Sequence, residues 1–133
     1  MTRSGSLLGV GIALGLLACG AQSEEGAAHE ATTRALMKQI FEGIRVALPE
    51  ATGAEPFSDP ARRADVAAAL VLLADNAEAL ERHSREDDAE AQFLARSAAR
   101  DARDLQRAHA EGQLDRAAFL TRQITENCIA CHA

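Results

Sequence analysis

The chain contains no Trp, no Tyr and only four Phe among its 133 residues. With β-branched residues also sparse, a sheet-dominated fold is excluded, because strands need those side chains to pack a pleated surface. Positive charge is short too. Fourteen Lys and Arg face 20 Asp and Glu, a net charge of −6. That balance argues against a nucleic-acid partner, which requires clustered cations to displace counterions from phosphates. A membrane-spanning run is lacking as well. The apolar stretch from Leu7 to Ala18 would rise only about 18 Å as a helix, against a hydrocarbon core of about 30 Å. What the chain has in plenty is alanine, 30 residues of it. Ala, Leu, Glu and Arg lose little side-chain freedom in a helix, so the composition predicts one small, acidic, all-α domain.

The first residues read as an address. Arg3 precedes the apolar stretch and small residues follow it, the pattern of a secretory signal. Leu16-Leu17-Ala18-Cys19 resembles the bacterial lipobox, which implies a signal peptide over residues 1–18 and lipidation of Cys19 as the mature N-terminus. Gly20 after the Cys implies, by the same resemblance, an outer-membrane lipoprotein facing the periplasm. The competing reading is ordinary cleavage after Ala21, which discards Cys19 and gives a soluble periplasmic protein. Residues 19–28 then form a small, polar, flexible tether, and residues 29–133 the folded domain.

Four helices follow from period and punctuation. Met37, Ile40, Phe41, Ile44 and Leu48 define one face of a helix from about Glu30 to Leu48, ended by Pro49. Asp59-Pro60 predicts an N-cap followed by Pro at the first helical position. The second helix runs to about His83, with Val66, Leu70, Leu73, Ala77 and Leu80 inward. Ser84 and Asp87 resemble a capping box. A third helix from about Arg85 to Glu111 turns Leu94, Ala98, Ala102, Leu105 and Ala108 inward. Its Arg and Asp residues form a solvated face of i,i+3 and i,i+4 pairs. Gly112 ends it, and Asp115 caps a fourth helix reaching Cys131 or His132. Short connections make neighbours antiparallel, and an up-down-up-down four-helix bundle is the simplest packing. So alanine-rich a core needs a staple.

With Cys19 assigned to the lipid, the other two cysteines fall in Cys128-Ile129-Ala130-Cys131-His132. Cys-x-x-Cys-His reads as covalent attachment of c-type haem. Two thiols one helical turn apart can add to the two vinyl groups of a porphyrin, and the adjacent His reaches iron as an axial ligand. Leu120 and Ile124 continue the same face backwards, so the motif points into the bundle. A redox Cys-x-x-Cys usually opens a helix, where the N-terminus lowers the thiol pKa; this one closes a helix. A zinc site needs four ligands, and no second Cys pair is present.

A four-helix chain closed by this motif resembles the class II cytochromes c, which comprise cytochrome c prime and its low-spin relatives, over about residues 29–132. The resemblance implies one haem c, held by thioethers from Cys128 and Cys131, with His132 as proximal iron ligand. It places the distal residue in the first helix, where Met37, followed by Lys38, is the candidate ligand. The family often carries an Arg four residues before the distal position. Here Thr33 stands at that spacing and Arg34 one residue later, making Arg34 the candidate partner of a haem propionate. Dimerisation through the first two helices occurs in the family, which implies a homodimer as one form of this protein.

The remaining histidines have plainer readings. His29 lies well off the Met37 seam, and His83 and His109 fall in last helical turns, where the helix dipole favours them. The resulting expectation is a mono-haem electron carrier with His/Met ligation, tethered by its lipid and serving redox partner proteins. The alternative is a five-coordinate haem protein that binds NO or CO. No constellation that would assist O–O cleavage is present, so an enzyme is not expected. The lipid reading has a direct check. Protein expressed with labelled fatty acid should carry the label on Cys19, whereas an unlabelled, soluble product beginning after Ala21 would establish ordinary cleavage.

Overall fold

The computed structural model describes residues 13–84 and 88–132, the side chains of residues 13–23 excepted. Its regular structure, among the described residues, is four helices and no strand: α1 (Ala13–Ala51), α2 (Arg63–His83), α3 (Ala89–Ala110) and α4 (Leu114–His132). The chain divides into two compact units, Met1–Thr32 and Thr33–Ala133, and the second contains the hydrophobic core. All four helices contribute to that core, and α3 packs against both α2 and α4.

The first helix is longer than its periodicity suggests. Pro49 lies inside it. Proline removes one helical hydrogen bond, yet Thr52 N–H still donates to the Leu48 carbonyl at 3.1 Å, and Ala47 and Ala51 are buried. Burial of that last turn outweighs the missing bond. Upstream, the backbone is helical from Ala13 through the stretch expected to be a flexible tether, in keeping with its alanine and glutamate content. Residues 1–12, which hold most of the expected signal peptide, and the Cys19 side chain lie outside the described residues.

The inward face of α1 also differs from expectation. Ile40, Gly43, Ile44, Ala47 and Ala51 are buried, while Phe41 is 62% exposed. A glycine carries no weight in a hydrophobic pattern, but here it sets the orientation. A Cβ on Gly43 would stand 2.8 Å from the Leu73 Cβ and 3.0 Å from the Ala69 carbonyl oxygen. The helix therefore presents Gly43 to α2 and turns Phe41 outward.

Every expected inward residue of α2 is buried. Its start is later than expected. Asp59 Oδ1 accepts from Ala61 N–H at 2.8 Å, an Asx turn rather than a helix cap, and α2 begins at Arg63. Arg62 ties the entry to its surroundings through Glu50 at 3.2 Å and Asp65 at 3.0 Å. In the loop before it, Phe57 is buried with φ of 55°, and its N–H donates to the Glu50 carbonyl at 3.0 Å. Residue 57 thus takes the left-handed region that bulky side chains avoid, held there by its burial.

Asp88 caps α3 by accepting from Ala91 N–H at 2.9 Å. Ser84, expected to cap it, instead donates its hydroxyl to the Leu80 carbonyl at 2.9 Å, and Asp87 lies outside the described residues. The buried stripe is Ala95, Ala99, Ala102, Leu105 and Ala108, with Leu94 and Ala98 half-buried beside it. In so alanine-rich a helix, adjacent phases look alike, and the expected stripe is one residue early in the first two turns. The charged face is only partly local. Arg107 pairs with Asp104 within α3, but Arg103 crosses to Glu78 at 2.6 Å and Asp75 at 3.2 Å, and Arg96 to Glu81 at 3.4 Å.

Gly112 ends α3 with φ of 73°, and Gln113 N–H donates back to the Ala108 carbonyl at 2.8 Å, a glycine helix stop. Because α4 starts at Leu114, Asp115 stands in its first turn, where its charge suits the helix dipole, and is not the cap. His109 occupies the last turn of α3 as expected but is buried, its ring edge-on to Phe57 at 5.5 Å. Burial, and then the nearby Arg63 charge, push its pKa below the usual imidazole value.

The approach at Gly43 generates a signed prediction. Gly43→Ala should destabilise the domain by about 1–3 kcal/mol through overpacking against Leu73 and Ala69, although alanine is intrinsically the better helix former. At Gly26 a Cβ would meet nothing within 4 Å, so Gly26→Ala should leave stability unchanged or slightly raised. Urea unfolding midpoints of the two variants decide the matter; equal, non-destabilising effects would contradict the close contact.

Candidate cofactor site at the end of α4

The fourth helix carries an inward stripe that runs out of protein before it ends. Ala117, Ala118, Leu120, Thr121 and Ile124 are buried. The Thr121 hydroxyl donates to the Ala117 carbonyl at 2.9 Å, and no buried side-chain nitrogen or oxygen among the described residues lacks a hydrogen-bond partner. Cys128, one turn beyond Ile124, is half-buried and packs against the core. Cys131 follows Ile124 by seven residues, about 20° short of two full turns, and so shares its direction. It is nevertheless exposed, as is His132. The same face that fills the core thus continues onto the surface with two thiols and an imidazole.

The two cysteines are free thiols. Burial, and then the neighbouring Cys131, push the Cys128 pKa up. A protonated, half-buried thiol at a helix C-terminus is poorly suited to thiol–disulfide exchange. No group of three or more His, Cys, Asp or Glu side chains among the described residues is placed to hold a metal ion. The donor set of Cys128, Cys131 and His132 suits covalent attachment plus one axial nitrogen better than a protein-only metal site. Apolar surface accompanies it. Ile129, between the cysteines, is 66% exposed, and Phe93, one turn before Ser97 of α3, is 70% exposed.

A polar tie holds the motif against α3. Asn127, immediately before Cys128, donates through Nδ2 to Asp101 Oδ2 at 3.1 Å and to Ser97 Oγ at 3.4 Å. Both acceptors are on α3, so the last turns of α4 are fixed against the first half of α3. Desolvation raises the Asp101 pKa, while Arg100 and the Asn127 hydrogen bond lower it in part. Asn127 stands 26 and 30 positions from its two acceptors, and none of the three residue types carries a sequence signal for the contact.

The other expected site residues fall as follows. Met37 is half-buried and packs against the same core cluster as Cys128, and its neighbour Leu36 does likewise. Arg34 is exposed on α1. His29 and His83 are half-buried. Comparison of the chain with family models, with curated proteins and with solved structures finds no match to any of them.

Asn127→Ala removes both hydrogen bonds to α3. It should lower stability by roughly 1 kcal/mol and raise the Asp101 pKa further, because a hydrogen bond to the carboxylate is lost. NMR titration of the Asp101 carboxyl checks the second effect, and an unchanged or lowered value would contradict the tie.

Proposed function

We propose that the protein is a mono-haem c-type cytochrome that carries electrons on the periplasmic side of a membrane. The carrying observation is Cys128-x-x-Cys131-His132 in the closing turn of α4, on the face that continues the core stripe through Ile124 and ends exposed. Thiols spaced one turn apart and a following imidazole match the attachment chemistry of haem c. The exposed Ile129 and Phe93 give the same end of the bundle apolar surface that suits a flat macrocycle. An up-down-up-down order of the four helices goes with this reading, since it would set the part of α1 around Met37 level with the end of α4.

Cys128 and Cys131 would hold the haem as thioethers, and His132 would supply the proximal nitrogen. Haem bound there supplies an iron that changes oxidation state. The chain's own part is to fix the two thiols through the tie of Asn127 to α3, and to exclude water with the half-buried side chains around Cys128. Met37 would serve as the distal ligand, and Arg34 would partner a propionate. A methionine ligand would raise the reduction potential relative to an open site, which suits electron transfer. Secretion of the chain, with Cys19 lipidated and anchored at the outer membrane, fits the reading, since haem c is attached outside the cytoplasm. The partners are redox proteins, and the acidic surface favours basic docking faces.

A second reading rests on Leu36. It shares the half-buried place of Met37, and a leucine turned to the iron would leave a five-coordinate site open to NO or CO. Optical spectra separate the two. Protein made with the haem-attachment machinery should give a c-type pyridine haemochrome that Cys128→Ala with Cys131→Ala abolishes; no such band in the unmutated protein would end the cytochrome reading. The ferric spectrum should be low-spin, and Met37→Ala should turn it high-spin and admit CO rapidly. An unmutated protein already high-spin and open to CO would put the gas-binding reading first.

A further inference from the structure

A second candidate site lies toward the other end of α3, roughly 12 to 18 Å along that helix from the level of Ser97 and Asp101. A cavity of about 380 Å³ opens there between α2 and α3, closed at one side by the start of α4. Arg63, Gln106 and His109 give it polar groups, and Ala67, Val71 and Leu114 are among its apolar walls. That volume is at the lower end of the range for small-molecule sites, and the lining has their usual mixture of an apolar wall with a few convergent polar groups.

Charge is the informative feature. In a chain of net charge −6, this cavity is lined by a guanidinium and an imidazole and by no carboxylate. Arg62, next to Arg63, pairs with Glu50 and Asp65, and Arg103 pairs with Asp75 and Glu78. Arg63 makes no ion pair among the described residues, and the group it acts on electrostatically is His109. His109 is only 9% exposed. Phe57 covers one side of its ring, and no hydrogen bond from another described residue reaches its nitrogens. The ring lines the cavity, so a ligand there can reach a nitrogen. The N-terminus of α2 adds to the bias, since its cap residue Arg62 makes no side-chain capping bond and leaves first-turn N–H groups without one.

We propose that this cavity binds a small organic carboxylate. Arg63 takes the charge, with Gln106 and His109 as hydrogen-bonding partners of the carboxylate oxygens, and the apolar body rests on Ala67, Val71 and Leu114. An arginine suits a carboxylate because its planar fork can make two parallel hydrogen bonds. The apolar wall distinguishes an organic acid from a bare inorganic anion, and the Arg63 guanidinium distinguishes it from a neutral solute.

The test is calorimetric titration of the full protein with sodium benzoate, alongside benzyl alcohol and inorganic phosphate, while the His109 ring protons are followed by NMR. Benzoate should bind saturably, one per chain, and move the His109 resonances. Benzyl alcohol and phosphate should bind at least about tenfold more weakly, and Arg63→Gln should weaken benzoate by at least about tenfold, as loss of a charge-assisted hydrogen bond implies. Arg63 is exposed, so the variant should fold, and an unchanged helical circular dichroism spectrum confirms it. No saturable benzoate binding, equal binding of benzyl alcohol or phosphate, or benzoate binding unaffected by Arg63→Gln would each overturn the proposal. None of these readouts depends on the haem assignment.

Discussion

At Gly43 the backbone of α1 comes so near α2 that a single added carbon would stand 2.8 Å from the Leu73 Cβ. The same economy of side chain runs through the core, where Ala47, Ala74, Ala77, Ala99, Ala102 and Ala117 are all buried. Helices lined this way can pack at short range, and dispersion contacts are then made largely by backbone and β-carbons. What they cannot do is bury much apolar area per residue. Large side chains are few inside: Leu70, Leu73, Leu105 and Ile124 are among those fully enclosed. Close approach is therefore the condition on which the domain's stability rests, and it leaves little tolerance for added volume.

Small side chains define a register poorly, because an alanine stripe looks much the same after a shift of one turn. Polar pairs supply the missing specificity. Arg103 reaches Glu78 and Asp75 from α3, and Arg96 reaches Glu81. Each is partly solvated, and such pairs contribute only about 0–1 kcal/mol. Their value lies in geometry, since a helix slipped by one turn would leave these arginines opposite the wrong residues. Asn127 does the same between α4 and α3. The placement of Cys128 and its neighbours is thus set by a chain of polar contacts reaching back to α2.

Much of this was legible in the sequence, and the parts that were not share a cause. The α2 stripe is legible because Val66, Leu70, Leu73 and Leu80, all buried, stand out against their neighbours. In α3, Leu94 pointed to a phase one residue away from the one that Ala95 and Ala99 occupy, because alanines on adjacent phases give no contrast. Phe41 drew the α1 face toward itself, while Gly43, which decides that face, carried no hydrophobic weight. Pro49 was read as a stop by local rules, and burial of Ala51 overrides them. The cysteines and the closing histidine of α4 were legible because their spacing is local, within one helical turn. Asn127 with Asp101, and His109 with Phe57, are contacts across the fold between residues of ordinary type, which a one-dimensional pattern does not record.

The turn at Gly112 joins α3 to α4 through three residues, 111 to 113, and α2 reaches α3 through a similarly brief segment, 84 to 88. Helices adjacent in sequence are in this way adjacent in space, and closing such short loops costs little chain entropy. Proteins whose contacts are mainly local in this sense fold in microseconds to milliseconds. The connection from α1 to α2 is longer, residues 52–62, and it must seat Phe57 with its unusual backbone. The three-helix run ending in Cys128, Cys131 and His132 is consequently the part of the molecule whose assembly topology favours most. Docking of α1, where Met37 lies, has both the longer loop to close and the tighter surface to fit.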